Sequence, residues 1–134
     1  MIVDANIVVY WCVLSPFTQS AERILGRPNL CAPSLIRTEA ASGFLKYLRA
    51  GLIGMDQLRS GVAGIDSAIP TIVEDGRLIK SAVELASSER HSVYDCMYLA
   101  LALERREPIA TADRRLALLA EKIGAGAELI EPEF

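Results

Sequence analysis

Four acidic side chains interrupt an otherwise apolar pattern at the points where predicted strands give way to helices. They are Asp4, Glu39, Asp95 and Asp113. In an open parallel sheet, ligands bind outside the carboxyl ends of the strands. We therefore expect Asp4 and Asp113 to lie at one edge of such a sheet, with Glu39 on a helix that begins there. Asp95 can face the same edge from the N-terminus of its own helix.

Carboxylates gathered at one edge would repel one another unless a cation lies between them. Two unit charges about 4 Å apart interact by about 4 kcal/mol at an effective dielectric near 20. Hard oxygen ligands in this number suit Mg²⁺ or Mn²⁺. No His or Cys stands at a zinc-type spacing from these acids. One or two such ions would activate water and clamp a phosphodiester for in-line displacement.

Each acid also has an ordinary structural explanation. Asp4 and Asp113 can cap the helices that follow them. Asp95, near a helix start, gains about 0.3–1 kcal/mol from the helix dipole. Glu39 alone is typical of a solvated helix surface. Only the joint placement of the four at one sheet edge favours a metal site over four separate structural roles.

Short apolar runs that alternate with longer helical segments indicate how these acids are positioned. The predicted strands are Ile2–Val3, Leu30–Ala32, Ile69–Val73, Ile109–Thr111 and, as a fifth edge strand, Glu128–Ile130. This alternation is typical of an α/β protein, and it predicts a three-layer α/β/α fold with a small, mostly parallel sheet of four to five strands. The proline within the third run predicts an edge strand or a strand start.

The segment Val93–Leu103 is apolar or aromatic at ten of its eleven positions. The apolar residues cover every side of a helix, so we expect this helix to be buried all round. Asp95 is its single charge, and a buried carboxylate costs several kcal/mol unless something pairs with it.

Composition limits the remaining possibilities. The 134 residues fit one domain, 1–134, and the formal net charge of −3 argues against a protein that coats nucleic acid non-specifically. Three cysteines without metal-type spacing indicate buried free thiols in a reducing cytoplasm. We expect neither a secretory leader nor a membrane-spanning segment.

Four sequence motifs, in order, resemble those of the PIN domain, specifically the VapC-type ribonuclease toxins of toxin–antitoxin pairs. They are Ile2–Asn6, Pro33–Glu39, Tyr94–Ala102 and Thr111–Leu116, and together they span most of the chain. The resemblance implies a Mg²⁺- or Mn²⁺-dependent endoribonuclease that cuts structured RNA, such as tRNA or rRNA, through a metal-activated water. It further implies a homodimer and an antitoxin protein that blocks the site.

Residue roles follow from the same resemblance. Asp4, Glu39, Asp95 and Asp113 become the catalytic, metal-holding acids, while Asn6 and Thr111 support these ligands or position water. Some relatives carry a further acid after the fourth motif, where this chain has Arg114, Arg115 and Leu116. The family pattern leaves a 5′-phosphate and a 3′-hydroxyl.

Five cations near the motifs are candidates for phosphate contacts: Arg114 and Arg115 beside the fourth acid, and Arg37, Lys46 and Arg49 near one helix. Arg114 and Arg115 are preferred because they lie next to the site. The alternative for each is an ordinary solvated surface. We interpret His91, the single histidine, as a loop residue rather than a catalytic base.

Three other functions compete with that of a nuclease. Phospho-receiver domains and haloacid-dehalogenase-type phosphatases need a second acid close after the first, and Asn6 stands at that point here. The alternative that stays open is a PIN-fold module that binds RNA or protein without cutting.

Overall fold

A computed structural model describes all 134 residues and contains one five-stranded, all-parallel sheet. The strands are β1 (Ile2–Val3), β2 (Cys31–Pro33), β3 (Thr71–Val73), β4 (Ile109–Thr111) and β5 (Ala127–Leu129). Their order is β3-β2-β1-β4-β5, so β3 and β5 form the two edges. The parallel sheet predicted from the sequence is confirmed.

Seven α-helices cover this sheet. They are α1 (Ala5–Cys12), α2 (Thr18–Leu25), α3 (Ile36–Arg49), α4 (Met55–Ala68), α5 (Ile79–Glu89), α6 (Val93–Arg105) and α7 (Arg114–Lys122). Helix α1 packs against α2, α3 and α4, while α6 packs against α5 and three central strands. Connections between parallel strands are right-handed, so α1–α4 lie on one face and α5–α7 on the other. The result is the expected three-layer α/β/α arrangement.

The direction of the chain reverses between β1 and β4. Successive strands lead from β1 outward to β2 and β3, and the chain then returns to β4 and continues to β5. Neighbouring strands whose connections leave in opposite directions create a crevice at their carboxyl ends, where α/β proteins bind ligands. In the sheet, Val3 pairs with Ala110, which brings Asp4 beside Thr111 at this crevice.

Several predicted boundaries need correction. Strand β3 begins at Thr71, after Pro70, rather than at Ile69. Helix α5 starts only at Ile79, because a short 3-10 helix over Asp75–Arg77 precedes it. That turn is held by contacts to the start of α3, where the Asp75 carboxylate accepts the backbone N–H of Leu35 at 2.9 Å.

The expectation that α6 is buried all round holds only for its middle. Cys96–Ala102 are buried, but Tyr94 is 63% exposed and Leu103 is 41% exposed. The two ends of the helix project past the strands, which are only two or three residues long, so its terminal turns have less sheet to cover them. Cys31 and Cys96 are buried free thiols as expected, whereas Cys12 is half-buried. None of the seven helices combines the length and the apolar character that a membrane span requires.

Candidate active site

Asp4 lies at the crevice between β1 and β4. Its backbone N–H donates to the carbonyl of Ala110 at 3.0 Å, which continues the strand pairing by one residue. Its side chain then turns to the start of α1, where Oδ1 accepts the N–H of Ala5 at 2.8 Å. The residue is only 7% exposed. Asp4 therefore caps α1 and holds a nearly buried carboxylate at the end of the central strand.

Thr111 and Asn6 fix the second oxygen of this carboxylate. The hydroxyl of Thr111 donates to Asp4 Oδ2 at 2.7 Å, and Asn6 Nδ2 donates to the same oxygen at 3.0 Å. Asn6 Oδ1 in turn accepts the N–H of Ala112 at 3.1 Å, which ties α1 to the end of β4. Both residues thus hold the acid in place.

Glu39 reaches the same crevice from α3 and is held by a residue of the opposite helix layer. The hydroxyl of Tyr98, a fully buried residue of α6, donates to Glu39 Oε1 at 2.7 Å. Burial and the nearby carboxylates raise the pKa of the Tyr98 hydroxyl, which therefore stays a proton donor at neutral pH. The contact joins α3 to α6 over the edge of the sheet.

Asp95 lies in the first turn of α6 and contacts the single histidine. Asp95 Oδ2 is 2.7 Å from His91 Nε2, and the His91 side chain is only 8% exposed. Ser92 caps the helix by accepting the N–H of Asp95 at 3.2 Å. His91 precedes the helix, as expected, but it also fixes one oxygen of a predicted site acid.

Asp113 is both a helix cap and part of the crevice. Its Oδ1 accepts the backbone N–H groups of Arg115 and Leu116 at 2.9 and 3.3 Å. Its own N–H donates to the Thr111 hydroxyl at 3.0 Å. No hydrogen bond engages its Oδ2. From the sequence, helix capping and a place in the acidic site are alternatives for Asp113. In the structure its side chain does both.

The four acids line one open cavity of about 360 Å³. Its walls come from α1, α3, the start of α6 and the end of β4. The remaining lining residues are Ala5, Asn6, Val9, Tyr10, Gly43, Lys46 and Tyr47. The structure therefore brings together, around one cavity, the four acids that the sequence places far apart along the chain.

Electrostatics in this cavity favour a bound cation. Burial is the main cause that raises the pKa of Asp4 to about 7, and the carboxylates of Asp95 and Glu39 raise it further against the Thr111 hydrogen bond. Burial also raises the pKa of Glu39, with a contribution from Asp95. A positive charge in the cavity would oppose both effects.

The donor set fits Mg²⁺ or Mn²⁺ by chemistry, because it consists of carboxylate oxygens with amide and hydroxyl support. No three His, Cys, Asp or Glu side chains lie close enough together to form a complete protein ligand set. Mg²⁺ usually keeps several waters and binds through only one or two carboxylates. An ion bridged partly by water is therefore the arrangement that these side chains suit.

None of the predicted RNA-binding arginines lines the cavity. Arg37 forms a two-point ion pair with Asp66, with Nε–Oδ1 and Nη2–Oδ2 distances of 2.9 and 3.1 Å. Arg114 pairs with Glu131 at 2.8 Å, and Arg115 is exposed. Their contact with RNA stays a prediction.

Sequence reasoning missed three kinds of contact at the site. His91 and Asp95 are four residues apart, but His91 precedes α6, so the rule for residues four apart on one helix gave no signal for their pairing. The contact of Tyr98 with Glu39 joins two helix layers and left no local signal. Tyr10 and Tyr47 reach the cavity through the approach of α1 and α3, which depends on tertiary packing. Lys46, a candidate for phosphate contact from the sequence, does line the cavity.

Comparison with known proteins gives one family. The family model described as PIN domain matches residues 1–122. A search of curated proteins finds no match.

Proposed function

Because the chain belongs to the PIN domain family, whose members are typically metal-dependent nucleases, we propose that it is a Mg²⁺- or Mn²⁺-dependent endoribonuclease. The observation that carries this proposal is the nearly buried Asp4 carboxylate, which shares a cavity with Glu39, Asp95 and Asp113. Burial of a charged carboxylate is energetically unfavourable unless a cation pairs with it. A bound metal ion would remove this unfavourable free energy, and the gain would contribute to its affinity.

Asp4, Glu39, Asp95 and Asp113 would hold the metal, directly or through water. Thr111 and Asn6 keep the Asp4 carboxylate aimed at the cavity, and each does so through a hydrogen bond to Oδ2. A bound divalent cation would supply activation of water and neutralisation of phosphate charge. No side chain is assigned the role of nucleophile.

The finer part of the proposal concerns biological role and substrate. We infer a toxin of a toxin–antitoxin pair, acting on structured RNA such as tRNA or rRNA, with an antitoxin as its partner and a homodimer as its assembly. The support is the resemblance of all four motifs to those of VapC-type ribonucleases. The free thiols agree with a cytoplasmic protein.

A second candidate is a PIN-fold module that binds RNA or protein without cutting. The observation in its favour is that no three acidic or metal-binding side chains lie together as a ready ligand set. RNA binding is compatible with both candidates, so cleavage is the property that separates them.

The test is incubation of purified protein with tRNA and rRNA pools in Mn²⁺, in Mg²⁺ and in EDTA. Asp95→Asn is compared with Asp56→Asn, which alters an exposed acid of α4 that does not line the cavity. The proposal expects metal-dependent cuts by wild type and by Asp56→Asn, and loss of cleavage in Asp95→Asn. Intact RNA in every lane of both metals would contradict the nuclease function and favour the binding module.

A further inference from the structure

The cavity of the four acids extends between α1 and α3 to residues that the proposed chemistry does not use. On α3, Glu39, Gly43, Lys46 and Tyr47 follow one another at helical spacing, so they share one face of the helix. Tyr10 faces the same cavity from α1. One groove therefore leads from the acids to two tyrosines and a lysine.

Gly43 shapes this groove. A Cβ atom placed on Gly43 would lie 2.6 Å from Cγ2 of Val9, which is closer than real atoms approach. The absence of a side chain lets α1 approach α3 at this point. Val9 and Gly43 thus line the bottom of the groove between the acids and Lys46.

Lys46 is the single cation that lines the cavity. It forms no ion pair within 4.0 Å, although four carboxylates line the same space. It follows Glu39 by seven residues, which is about 10 Å along a helix that rises 1.5 Å per residue. A stacked nucleic-acid strand rises about 3.4 Å per nucleotide, so this distance corresponds to about three nucleotides.

The tyrosines supply aromatic surface beside this charge. Tyr10 stacks on Phe17 with ring centroids 4.7 Å apart and an angle of 16° between the ring planes. One face of Tyr10 is thereby fixed against the protein, and the ring is held in place before any ligand binds. Tyr47 is half-buried and lines the same end of the cavity. Aromatic side chains of this kind stack with bases of single-stranded nucleic acid.

We propose that Lys46, Tyr10 and Tyr47 form a subsite for an unpaired nucleotide of the RNA, within about three nucleotides of the cleaved bond. Lys46 contacts a phosphate, and a tyrosine ring stacks with the base. The base must leave its duplex to reach the ring, so the subsite selects single-stranded segments such as loops. The inference rests on the proposed function, because it assumes that RNA occupies the cavity.

The test is fluorescence anisotropy with a labelled, short single-stranded oligoadenylate and a labelled blunt-ended RNA duplex, in Mg²⁺. All variants are made in the Asp95→Asn protein, so that the probe is not cut. Lys46→Ala is compared with Lys46→Arg and with Arg49→Ala. Arg49 is an exposed cation of the same helix that does not line the cavity.

We expect Lys46→Ala to weaken binding of the single strand about tenfold, as for loss of a charged hydrogen bond. The slope of log affinity against log salt should fall by about 0.7, the value for one phosphate contact on a single strand. Lys46→Arg should restore most of the affinity, and Arg49→Ala should stay close to the parent. Tyr47→Ala should weaken binding of the single strand but not of the duplex, and Tyr47→Phe should keep the affinity.

Equal effects of Lys46→Ala and Arg49→Ala would overturn the subsite, as would equal binding of single strand and duplex in every variant. Absence of binding to either probe would overturn it too. Cleavage of the tRNA and rRNA pools by wild type decides the proposed function separately. The subsite can therefore fail while the nuclease function stands.

Discussion

The buried Asp4 carboxyl predicts an unusual pH dependence of stability in the metal-free protein. Its pKa is about 7 in the folded chain, against 3.8 for an ordinary aspartate. Between these values the folded state keeps a proton that the unfolded chain has lost. Unfolding then releases a proton, so the free energy of unfolding falls as the pH rises through this window. Below it both states are protonated, and above it both are ionised.

The size of the effect follows from the two pKa values. A tenfold change in a dissociation constant is worth 1.36 kcal/mol, so the full difference is about 4 kcal/mol. Between about pH 5 and about pH 8 the loss is about 3 kcal/mol, because part of the window lies below pH 5. For a chain of this length, this corresponds to a fall in Tm of about 10 °C.

The assay is urea unfolding in EDTA across this pH range, for wild type and for Asp4→Asn. The variant cannot titrate at position 4, so its free energy of unfolding should fall by about 3 kcal/mol less than that of wild type. Only the change of the free energy of unfolding with pH is compared. Any loss of stability that the amide causes at every pH therefore cancels. The same pH dependence in the two proteins would refute the raised pKa of Asp4.

Three further substitutions test the supports of the site. His91→Ala should weaken Mn²⁺ binding about 10–100-fold in calorimetry, because it frees the oxygen of Asp95 held at 2.7 Å; an unchanged dissociation constant would show that His91 does not position the acid. Tyr98→Phe should lower the free energy of unfolding by about 1.5–3 kcal/mol in urea, through loss of the hydrogen bond to Glu39; equal midpoints would contradict this. Gly43→Ala should destabilise by about 1–3 kcal/mol through overpacking; a more stable variant would mean that helix propensity outweighs the clash.

Much of the site could be predicted from strand ends. Parallel strands present their carboxyl ends at one edge, so Asp4 and Asp113 had to lie near each other once β1 and β4 were neighbours. The roles of Asn6 and Thr111 came instead from the resemblance to the PIN domain, and the register that pairs Val3 with Ala110 accounts for the place of Thr111 beside Asp4. The placement of Asp4 and Asp113 needed only local patterns and one rule about parallel sheets.

Other contacts depended on geometry that the sequence does not display. Helices α5 and α6 are followed by Arg90 and Arg106, both in the left-handed region with φ of 52° and 55°, where a glycine usually stands. The turn at Arg90 brings the chain from α5 into α6, and His91 follows it directly. A pattern of residue types did not predict that turn, and so it did not predict the contact with Asp95.

Surface ion pairs and helical spacing decided which cations reach the cavity. The arginines next to the motifs looked suitable, yet Arg37 and Arg114 are engaged with Asp66 and Glu131 on the surface. Lys46 lies at the cavity because it shares a face of α3 with Glu39. Helical spacing from a site acid therefore predicted the cation at the cavity better than closeness to a motif along the chain.

The central claim is that the four acids bind a divalent cation, and a thermal-shift titration with Mn²⁺ and Mg²⁺ tests it without knowledge of the RNA. Wild type should gain stability, by about 2.7 kcal/mol at a concentration one hundred times the dissociation constant. Asp56→Asn should behave alike. Asp95→Asn should gain little from the metal, and in EDTA it should be at least as stable as wild type because repulsion with Asp4 is relieved. An unchanged Tm of wild type at millimolar Mn²⁺ and Mg²⁺ would contradict the claim.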